Sequence, residues 1–401
     1  MILIFYIFAA LLVWFSFKSF RGGVEYLRFF REELTRPPSE WEPMVTIIAP
    51  CKGVDEGMLA NFDALLDQDL PEYEVIFVID DPDDPAAAII EQAWQEAERH
   101  VKLVVAPKAN GSSQKVENLR EGVLHADPKS EVFVFVDSDA RPSPGWLRAL
   151  VAPLRDETIG AATGYRWFIS EEPTLASELR SAWNASIASA LGPNEKSNFT
   201  WGGSMAIRRD TFERIGMREK WQGTLSDDFA VTRAMRSAGL RIRFVPQALT
   251  ASVESCTFRE LFEFTNRQMK ITRVYMPELW LMSFFGSGLF NLVMAAAILI
   301  AVLSKSNGIP VWAAHATLFL VSFFSVGKAV LRLYAVRLAL PQFGPELRRQ
   351  RFSQYTLWLA TPAIFFANCV AAMLSREIVW RGTRYRLASP EQTEVVAQDQ
   401  R

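Results

Sequence analysis

Residues 132–139, Val-Phe-Val-Phe-Val-Asp-Ser-Asp, form the stretch that decides the fold, because five apolar residues lead directly into two carboxylates. A short apolar run of this kind is typical of a strand that is buried on both faces of a parallel sheet. Similar runs occur at residues 45–49, 74–80, 101–106 and 159–164, and helix-compatible stretches occur at 85–99 and 114–126. This alternation predicts a doubly wound α/β domain over residues 44–255.

Acidic residues follow these predicted strands, at the sheet edge where ligands of such domains bind. Asp137 and Asp139 have one residue between them, so both can approach one cation, and their hard oxygen atoms suit Mg²⁺ or Mn²⁺ bridged to a diphosphate. Four more carboxylates follow residues 75–79, namely Asp80, Asp81, Asp83 and Asp84. Such like charges repel unless a cation or a hydrogen-bond donor lies beside them, and the alternative is an exposed acidic loop.

A third acidic group, Ser226-Asp227-Asp228, opens a helix-like stretch at residues 229–237. Either Ser226 or Asp227 can serve as the N-cap of this helix, because side-chain oxygens accept hydrogen bonds from the first helical N–H groups. A capping role for one of them leaves Asp228 available as a general base.

A basic segment follows at residues 267–273, in which Arg267, Lys270 and Arg273 recur at a helical spacing of three. One face of a helix could therefore hold a diphosphate leaving group or lipid head groups. The alternative is that these residues only flank a membrane span.

Long apolar runs at both ends of the chain predict a membrane protein. The first, about residues 2–17, predicts an uncleaved anchor in residues 1–20, followed by a linker at 21–43. Runs at about 279–303, 309–331 and 355–374 each approach the roughly 20 residues that cross a bilayer. We therefore expect an interfacial amphipathic helix at 256–278, a bundle of about three spans at 279–375, and a C-terminal tail at 376–401, whose part after about Leu387 has the polar composition of a disordered terminus.

Basic residues beside the predicted spans indicate the orientation of the chain. The basic clusters at residues 18–31 and 267–273 place the central domain on the cytoplasmic side, and a bacterial inner membrane is the expected location. The last run breaks the pattern, because a single crossing would place the basic cluster at 376–386 outside. Either this run bends back at Pro362, or one predicted span is wrong.

Composition excludes several other classes of protein. The net charge of −2 gives no basis for nucleic-acid binding. The three cysteines are far apart and the chain has only three histidines, so neither a disulfide framework nor a zinc site is expected. The sequence gives no indication of the oligomeric state.

The order of these motifs resembles the processive and lipid-directed family 2 glycosyltransferases with a GT-A fold, and most of all the ceramide glucosyltransferase branch. Five segments carry the resemblance: Pro50-Cys-Lys-Gly-Val-Asp55, Asp81-Pro-Asp-Asp-Pro-Ala86, Lys115-x-x-Asn-Leu119, the Gly203-Ser204 segment followed by Arg208-Arg-Asp210, and Trp380-Arg-Gly-x-x-Tyr385. The resemblance implies an α/β GT-A domain with a mixed sheet, joined to transmembrane helices. It covers nearly the whole chain.

The resemblance also implies a role for each matching residue in the inverting transfer of a hexose from a UDP-sugar to a membrane lipid such as ceramide. Asp228 would be the general base, and Asp137 and Asp139 would hold a divalent cation, Mg²⁺ or Mn²⁺. The nucleotide-sugar site would be formed by Pro50, Lys52, Asp81, Lys115, Asn118, Asp137, Gly203, Arg267, Lys270 and Arg273. The bilayer, the donor and the lipid acceptor would be the partners.

One departure from the family pattern leaves the acceptor open. Lys270-Ile271 stands where the family has Arg-Trp, so the planar arginine fork and the aromatic ring are both missing. A hopanoid, diacylglycerol or polyprenyl phosphate acceptor, or a growing polysaccharide, is an alternative. A degenerate sugar-nucleotide-binding scaffold and, less favoured, a transporter are the alternatives from other classes of protein.

Overall fold

The computed structural model describes residues 2–95, 97, 99–170, 172–304 and 308–398, which fold into two compact units. The helical unit comprises Met1–Arg31, Pro173–Ser189 and Cys256–Ser375. The α/β unit comprises Glu32–Glu172, Ala190–Ser255 and Arg376–Arg401. The C-terminal segment therefore belongs to the α/β unit, although the predicted membrane spans lie between this segment and the rest of the unit in sequence.

The strands and helices have the following bounds. The strands are β1 Val45–Pro50, β2 Tyr73–Ile79, β3 His100–Val105, β4 Val132–Val136, β5 Ile159–Thr163, β6 Arg166–Ile169, β7 Ser204–Arg208, β8 Arg241–Phe244, β9 Thr250–Val253, β10 Glu377–Trp380, β11 Thr383–Ser389 and β12 Gln392–Gln398. The helices are α1 Ile2–Leu34, α2 Met58–Leu66, α3 Ala86–Gln95, α4 Gln114–Gly122, α5 Trp146–Val151, α6 Leu175–Ala188, α7 Arg209–Arg214, α8 Met217–Lys220, α9 Asp227–Ser237, α10 Phe258–Tyr275, α11 Pro277–Leu303, α12 Ile309–Ala339, α13 Gly344–Arg349, α14 Arg351–Thr356 and α15 Thr361–Leu374.

The main sheet of the α/β unit has seven strands in the order β3-β2-β1-β4-β7-β5-β8. Pairs β1–β2, β2–β3, β1–β4 and β5–β8 are parallel, whereas β7 is antiparallel to both β4 and β5. Strands β1, β2 and β4 are buried along their whole length, as their uninterrupted apolar runs predict. The predicted α/β fold with a mixed sheet is confirmed.

Close packing of helices on the sheet fixes the strand ends. Gly122 allows α4 to approach the sheet, because a Cβ atom there would lie 2.7 Å from a methyl carbon of Ile48. On the same core, the ring of Phe135 meets that of Trp221 edge to face, with 5.2 Å between the ring centroids. Each fully buried large apolar side chain contributes roughly 1.5–3 kcal/mol, so these contacts hold the strands in place beneath the site.

The carboxyl ends of three strands and the start of a fourth lie at one edge of the sheet. Because β1, β2 and β4 are parallel, their carboxyl ends lie at the same edge. Antiparallel β7 begins there, since Ser204 pairs with Val136. The order of the strands reverses between β1 and β4, and ligands of open α/β sheets bind at such a point.

The C-terminal segment is ordered, unlike the polar tail expected from the sequence. Strands β10, β11 and β12 form an antiparallel sheet, which we call the C-terminal hairpin sheet. Along β11 the side chains of Thr383, Tyr385 and Leu387 are buried, and Arg384 and Arg386 between them are exposed. This period of two is that of a strand with one face covered, so the segment folds despite its polar composition.

In the helical unit, the described residues include three helices that are long and apolar enough to cross a membrane, α1, α11 and α12. Helix α1 extends to Leu34, through the first part of the predicted linker at residues 21–43. Its continuation is stabilised by burial of Tyr26, Leu27, Phe29 and Phe30. The predicted interfacial helix corresponds to α10, which starts with a capping box between Thr257 and Glu260.

A fourth apolar segment is bent. Residues Arg351–Leu359 and Thr361–Leu374 together pass the length and hydropathy test, with an angle of 57° between them, so they form a broken span or a re-entrant loop. The break lies beside Pro362, where the proline ring restricts the backbone. A bent segment agrees with the alternative in which the run at residues 355–374 turns back.

Candidate active site

The acidic group after β2 is neutralised by two lysines. Asp80 is buried, and its Oδ2 atom lies 3.1 Å from Nζ of Lys52 and 3.3 Å from Nζ of Lys108. Asp81 is half-exposed and lies 3.1 Å from Nζ of Lys108. Hydrogen bonding from the N–H of Asp83, followed by the effect of Lys108, holds the pKa of Asp81 below its ordinary value. These contacts remove the repulsion that the sequence alone leaves unexplained.

Asp84 fixes the loop after β1. Its carboxylate accepts hydrogen bonds from the N–H of Gly53, at 3.0 and 3.1 Å, and from the N–H of Ala86, at 2.9 Å. It therefore caps α3 and ties the β1 loop, which carries Lys52, to the β2 loop, which carries Asp81. Two of the predicted nucleotide-binding residues are brought together in this way, beside Pro50 at the end of β1.

Lys115 joins the acidic groups at residues 137 and 227. Its Nζ atom lies 2.6 Å from Oδ1 of Asp137 and 3.2 Å from Oδ1 of Asp227. Burial alone would lower the pKa of Lys115, but the two carboxylates raise it above its ordinary value. Burial raises the pKa of Asp227 to about 6, against the opposing effect of Lys115. Lys115, at the start of α4, is thus a protonated side chain that lies between the two acidic groups.

Glycines at positions 202 and 203 allow the backbone to pass close to these charges. A Cβ atom at residue 202 would overlap Oδ2 of Asp227 and lie 2.9 Å from Nζ of Lys115. A Cβ atom at Gly203 would overlap the ring of Trp201 and lie 2.7 Å from Oδ2 of Asp137. Gly203, predicted as a binding residue, therefore lies directly against the metal-ligand candidate Asp137.

Asp139 has a free buried oxygen atom that fits a divalent cation. Its Oδ2 atom lies 3.3 Å from Nη1 of Arg166, whereas Oδ1 is buried without a hydrogen-bond partner in the described part of the chain. Burial raises the pKa of Asp139 to about 7. Two carboxylates are a usual protein contribution to a Mg²⁺ site that is completed by phosphate and water. No group of three or more His, Cys, Asp or Glu residues suited to a metal occurs in the described residues, so substrate oxygens would have to complete it.

Asp228 lies at the first turn of α9. Ser226 is the N-cap of this helix, and its hydroxyl accepts a hydrogen bond from the N–H of Phe229 at 3.4 Å. Oδ1 of Asp228 accepts from the Ser226 hydroxyl and from the Phe229 N–H, whereas Oδ2 accepts a long bond of 3.4 Å from the N–H of Gly202. The capping role thus falls to Ser226, and one oxygen atom of Asp228 is weakly engaged.

Asn118 makes structural hydrogen bonds, and the nucleotide contact that the resemblance implies for it stays a prediction. It is buried, its Nδ2 donates to the carbonyl of Val78 at 3.1 Å, and its Oδ1 accepts from Gln114 at 2.9 Å. The bond to Val78 fastens α4 to β2, so Asn118 holds the helix that carries Lys115.

The three basic residues at 267, 270 and 273 lie on α10 of the helical unit. Arg273 donates to the carbonyls of Ala372 and Met373, at 2.5 and 3.2 Å, and so binds the C-terminal end of α15. The guanidinium of Arg267 lies over the ring of Phe264, 5.6 Å from its centroid. A part for Arg267, Lys270 and Arg273 in diphosphate binding stays a prediction.

Several residues at this sheet edge were not predicted as site residues. Arg166 binds Asp139, and Asp227 binds Lys115. Asp55 accepts from the Ser138 hydroxyl at 2.8 Å and pairs with Arg381 at 2.5 Å. Asp55 and Arg381 both lie inside motifs that carry the family resemblance, which is the signal that could have identified them.

Comparison with known proteins agrees with this geometry. The model of the family described as "Glycosyl transferase family 21" matches residues 10–393. An N-acetylglucosaminyltransferase of Rhizobium leguminosarum bv. viciae is 25% identical over 355 residues, which are 82% of this chain and 79% of the relative. A ceramide glucosyltransferase of Komagataella phaffii is 27% identical over 142 residues, which are 34% of this chain and 27% of the relative.

Among solved structures, the mannosyltransferase PcManGT from Pyrobaculum calidifontis, in complex with GDP-Man and Mn²⁺, is similar at 19% identity with a TM-score of 0.48. The match covers 92% of this chain and 99% of that one. The family match, together with the mixed sheet, confirms the resemblance to GT-A membrane glycosyltransferases and assigns it to family 21. The chain is a sugar-transferring enzyme, and it belongs to glycosyl transferase family 21.

Proposed function

We propose that this enzyme transfers a hexose from a UDP-sugar to the hydroxyl group of a membrane lipid, with inversion at the anomeric carbon. The observation that carries the proposal is the convergence of Asp137 and Asp227 on Lys115, at the sheet edge that also holds Asp228. Carboxylates and a buried cation from three distant segments form one polar site at the carboxyl ends of the strands. A nucleotide sugar with its cation fits the charges of such a site.

Asp137 and Asp139 would hold the divalent cation. The buried, unpartnered Oδ1 atom of Asp139 supports this assignment, because a buried carboxylate oxygen without a hydrogen bond is costly unless a ligand binds it. A bound Mg²⁺ or Mn²⁺ supplies charge stabilisation for the leaving diphosphate. Lys115 would add a fixed positive charge on the other side of Asp137, and Gly203 would let the diphosphate approach the backbone.

Asp228 would act as the general base. Its Oδ1 atom is held by Phe229 N–H and Ser226, so the carboxylate has a fixed orientation, and Oδ2 is the atom available for the acceptor proton. As Oδ2 takes the proton, the acceptor oxygen forms its bond to the anomeric carbon and the bond from that carbon to the UDP oxygen breaks. A single displacement of this kind inverts the anomeric carbon, and a positioned base contributes roughly 10²–10⁴-fold in rate.

Pro50, Lys52 and Asp81 would form the nucleoside end of the site, because Asp84 ties the β1 and β2 loops together. Asp81 is half-exposed, so its carboxylate can accept hydrogen bonds from a uracil or a ribose. Asn118 would support this end by fixing α4.

The lipid acceptor is supported by the three helices that are able to cross a membrane and by the ceramide glucosyltransferases among the relatives. The basic face of α10, Arg267, Lys270 and Arg273, would lie at the membrane surface near the lipid head groups. The α/β unit would lie on the cytoplasmic side, where nucleotide sugars are made available, in a bacterial inner membrane. A different lipid or a polysaccharide acceptor is the second candidate, because Lys270-Ile271 stands where the family has Arg-Trp, and the relative named as an N-acetylglucosaminyltransferase leaves N-acetylglucosamine open as the sugar.

Product analysis tests the proposal. Purified full-length protein is incubated with Mn²⁺, a panel of UDP-sugars and defined lipids, including ceramide, and the lipids are examined by mass spectrometry. We expect one lipid to gain a single hexose, with the new bond inverted relative to the donor as seen by NMR. A polymeric product would favour the second candidate, and absence of any transfer from UDP-sugars would contradict the proposed donor.

A matched pair of variants tests the base. Asp228→Asn should keep UDP affinity and lose transfer by roughly 10²–10⁴-fold. Asp210→Asn changes a carboxylate of the same kind in the first turn of α7, where it is exposed and pairs with Arg208, and should transfer at the normal rate. Near-normal turnover by Asp228→Asn would exclude it as the base.

A further inference from the structure

The turn of the C-terminal hairpin sheet has an unusual residue at its tip. Strands β10 and β11 are joined by two residues only, Arg381 and Gly382, with φ angles of 49° and 75°. Two-residue turns with positive φ at both positions normally contain Asn or Gly, because a side chain is strained there. Arg381 is the one residue other than glycine with positive φ among the described residues. An arginine at this position is strained without any benefit to the turn, which points to a function of its side chain.

The hairpin holds this arginine against the active-site edge. Arg381 pairs with Asp55 through one nitrogen atom, Nη2, at 2.5 Å, and Asp55 in turn accepts from Ser138, the residue between Asp137 and Asp139. Burial alone would lower the pKa of Arg381, but Asp55, Asp139 and Glu254 raise it. The guanidinium is therefore joined through Asp55 to Ser138, in the loop that carries the proposed metal ligands.

The hairpin is fastened to the two helices that carry the other charged residues of the site. The hydroxyl of Tyr385 accepts from the N–H of Gln114, which directly precedes Lys115, at 3.2 Å. Glu391 pairs with Arg233 of α9 at 2.9 Å. Gly223 allows the chain to approach, because a Cβ atom there would overlap the carbonyl oxygen of Glu391. The position of Arg381 is thus set by contacts with α4 and α9.

Lys115, Arg166 and Arg381 pair with carboxylates at this sheet edge, and they differ in how much of the side chain is exposed. The side chains of Lys115 and Arg166 are 14% and 13% exposed and face Asp137 and Asp139, whereas that of Arg381 is 42% exposed. A guanidinium has five N–H donors in a planar fork that matches phosphate oxygens. Arg381 therefore combines a fixed position with N–H groups that a ligand can reach.

We infer that Arg381 binds the diphosphate of the sugar nucleotide, so that the C-terminal hairpin sheet is a part of the donor site. The inference rests on the proposed function. Around the proposed metal ligands the described residues include four carboxylates, Asp137, Asp139, Asp227 and Asp228, and two cations that pair with them, Lys115 and Arg166. A diphosphate would need further positive charge besides the metal ion, and Arg381 would supply it from outside the seven-stranded sheet. Its ion pair with Asp55 would hold the guanidinium ready for the phosphate oxygens.

Arg381→Gly is the variant that tests this inference while keeping the turn. Glycine accepts positive φ without strain, so the hairpin should be kept, although loss of the ion pair with Asp55, whose side chain is 12% exposed, should lower the melting temperature. Arg384→Ala is the matched control, because Arg384 lies on the same hairpin and its side chain is exposed. It removes the same charge without changing the turn.

Binding of UDP and UMP is measured by titration calorimetry with Mn²⁺ and full-length protein in detergent. Arg381→Gly should weaken UDP binding by about 10- to 100-fold, the usual worth of hydrogen bonds to a charged group, and change UMP binding little. Arg384→Ala should bind UDP as the wild type does. The inference is overturned if Arg381→Gly binds UDP normally, if it loses UDP and UMP equally, or if the control loses as much. If the wild type binds neither UDP nor UMP, the proposed function fails as well.

Discussion

Replacing Lys115 by methionine should destabilise the α/β unit by leaving the buried carboxylate of Asp227 and the partly buried carboxylate of Asp137 without their cation. Methionine keeps much of the volume of the side chain and removes only the charge and its hydrogen bonds. In the structure, Lys115 Nζ lies 2.6 Å from Asp137 and 3.2 Å from Asp227, with Asp228 adding a third negative charge nearby. The variant therefore isolates the electrostatic role of Lys115.

The magnitude follows from the burial of the groups. Removing one partner of a buried ion pair costs about 3–5 kcal/mol, because the remaining charge is uncompensated. The side chain of Asp137 is 19% exposed and that of Asp227 is 4% exposed, so some water reaches the first and the lower end of the range applies. A loss of about 3 kcal/mol lowers the melting temperature of a unit of this size by roughly 6–12 °C.

Thermal unfolding of the full-length protein in detergent measures this loss, first with a chelator and then with Mn²⁺. The divalent cation should restore part of the stability, because it replaces the missing positive charge beside Asp137. Lys108→Met is the control, since Lys108 is 53% exposed, and it should leave the melting temperature nearly unchanged. A loss below about 1 kcal/mol for Lys115→Met, or a loss that Mn²⁺ does not reduce, would refute the electrostatic reasoning.

Three further predictions concern single side chains. Gly203→Ala should abolish transfer while keeping the fold of the unit, because its Cβ atom would overlap the Trp201 ring and displace it, as activity and circular dichroism would show. In metal-free protein, burial raises the pKa of Asp227 to about 6, above its unfolded value of roughly 3.9. Protonation of Asp227 therefore stabilises the folded state, and this stabilisation is complete below the unfolded pKa and is lost as the pH rises through about 6. Asp227→Asn should therefore reduce the fall in melting temperature between roughly pH 4 and pH 7. An unchanged fall would show that Asp227 does not titrate in this range. Burial also raises the pKa of Glu178, so Glu178→Gln should raise the melting temperature at alkaline pH and have less effect in acid.

The central sheet was predictable because each of its buried strands corresponds to a continuous apolar run in the sequence. Apolar runs of five to seven residues predict the strands, and the carboxylates that follow two of these runs indicate the edge at which the strands end. Asp137 and Asp139 follow β4 as expected. The partner of Asp137 was also a predicted site residue, Lys115, although no pattern in the sequence indicates this pairing.

The C-terminal hairpin sheet could not be predicted in this way. Its strands are short, and β11 carries exposed arginines at alternate positions, so its mean polarity is that of a disordered tail. The buried face becomes visible only when the residues that cover it are known, and Tyr385 contacts Gln114, 271 residues away in sequence. A contact between residues so far apart produces no pattern in the sequence from which it could be predicted.

The extent of α1 was missed for a related reason. Gly22, Gly23 and several charged residues interrupt the apolar run after residue 20, which suggests a linker. The helix continues because its later turns bury aromatic residues, including Tyr26 and Phe30, whose rings lie 4.4 Å apart between centroids. Tertiary packing of one face outweighs the weak helix propensity of two glycines.

The most direct test of the central claim is the dependence of UDP affinity on Mn²⁺, measured by calorimetry for the wild type and for Asp139→Ala. If Asp137 and Asp139 hold the cation that binds the diphosphate, Mn²⁺ should strengthen UDP binding to the wild type by at least about tenfold, which corresponds to 1.4 kcal/mol. Asp139→Ala should lose that gain and bind UDP as weakly with Mn²⁺ as without it. Equal strengthening by Mn²⁺ in both proteins would contradict a donor site built on these carboxylates.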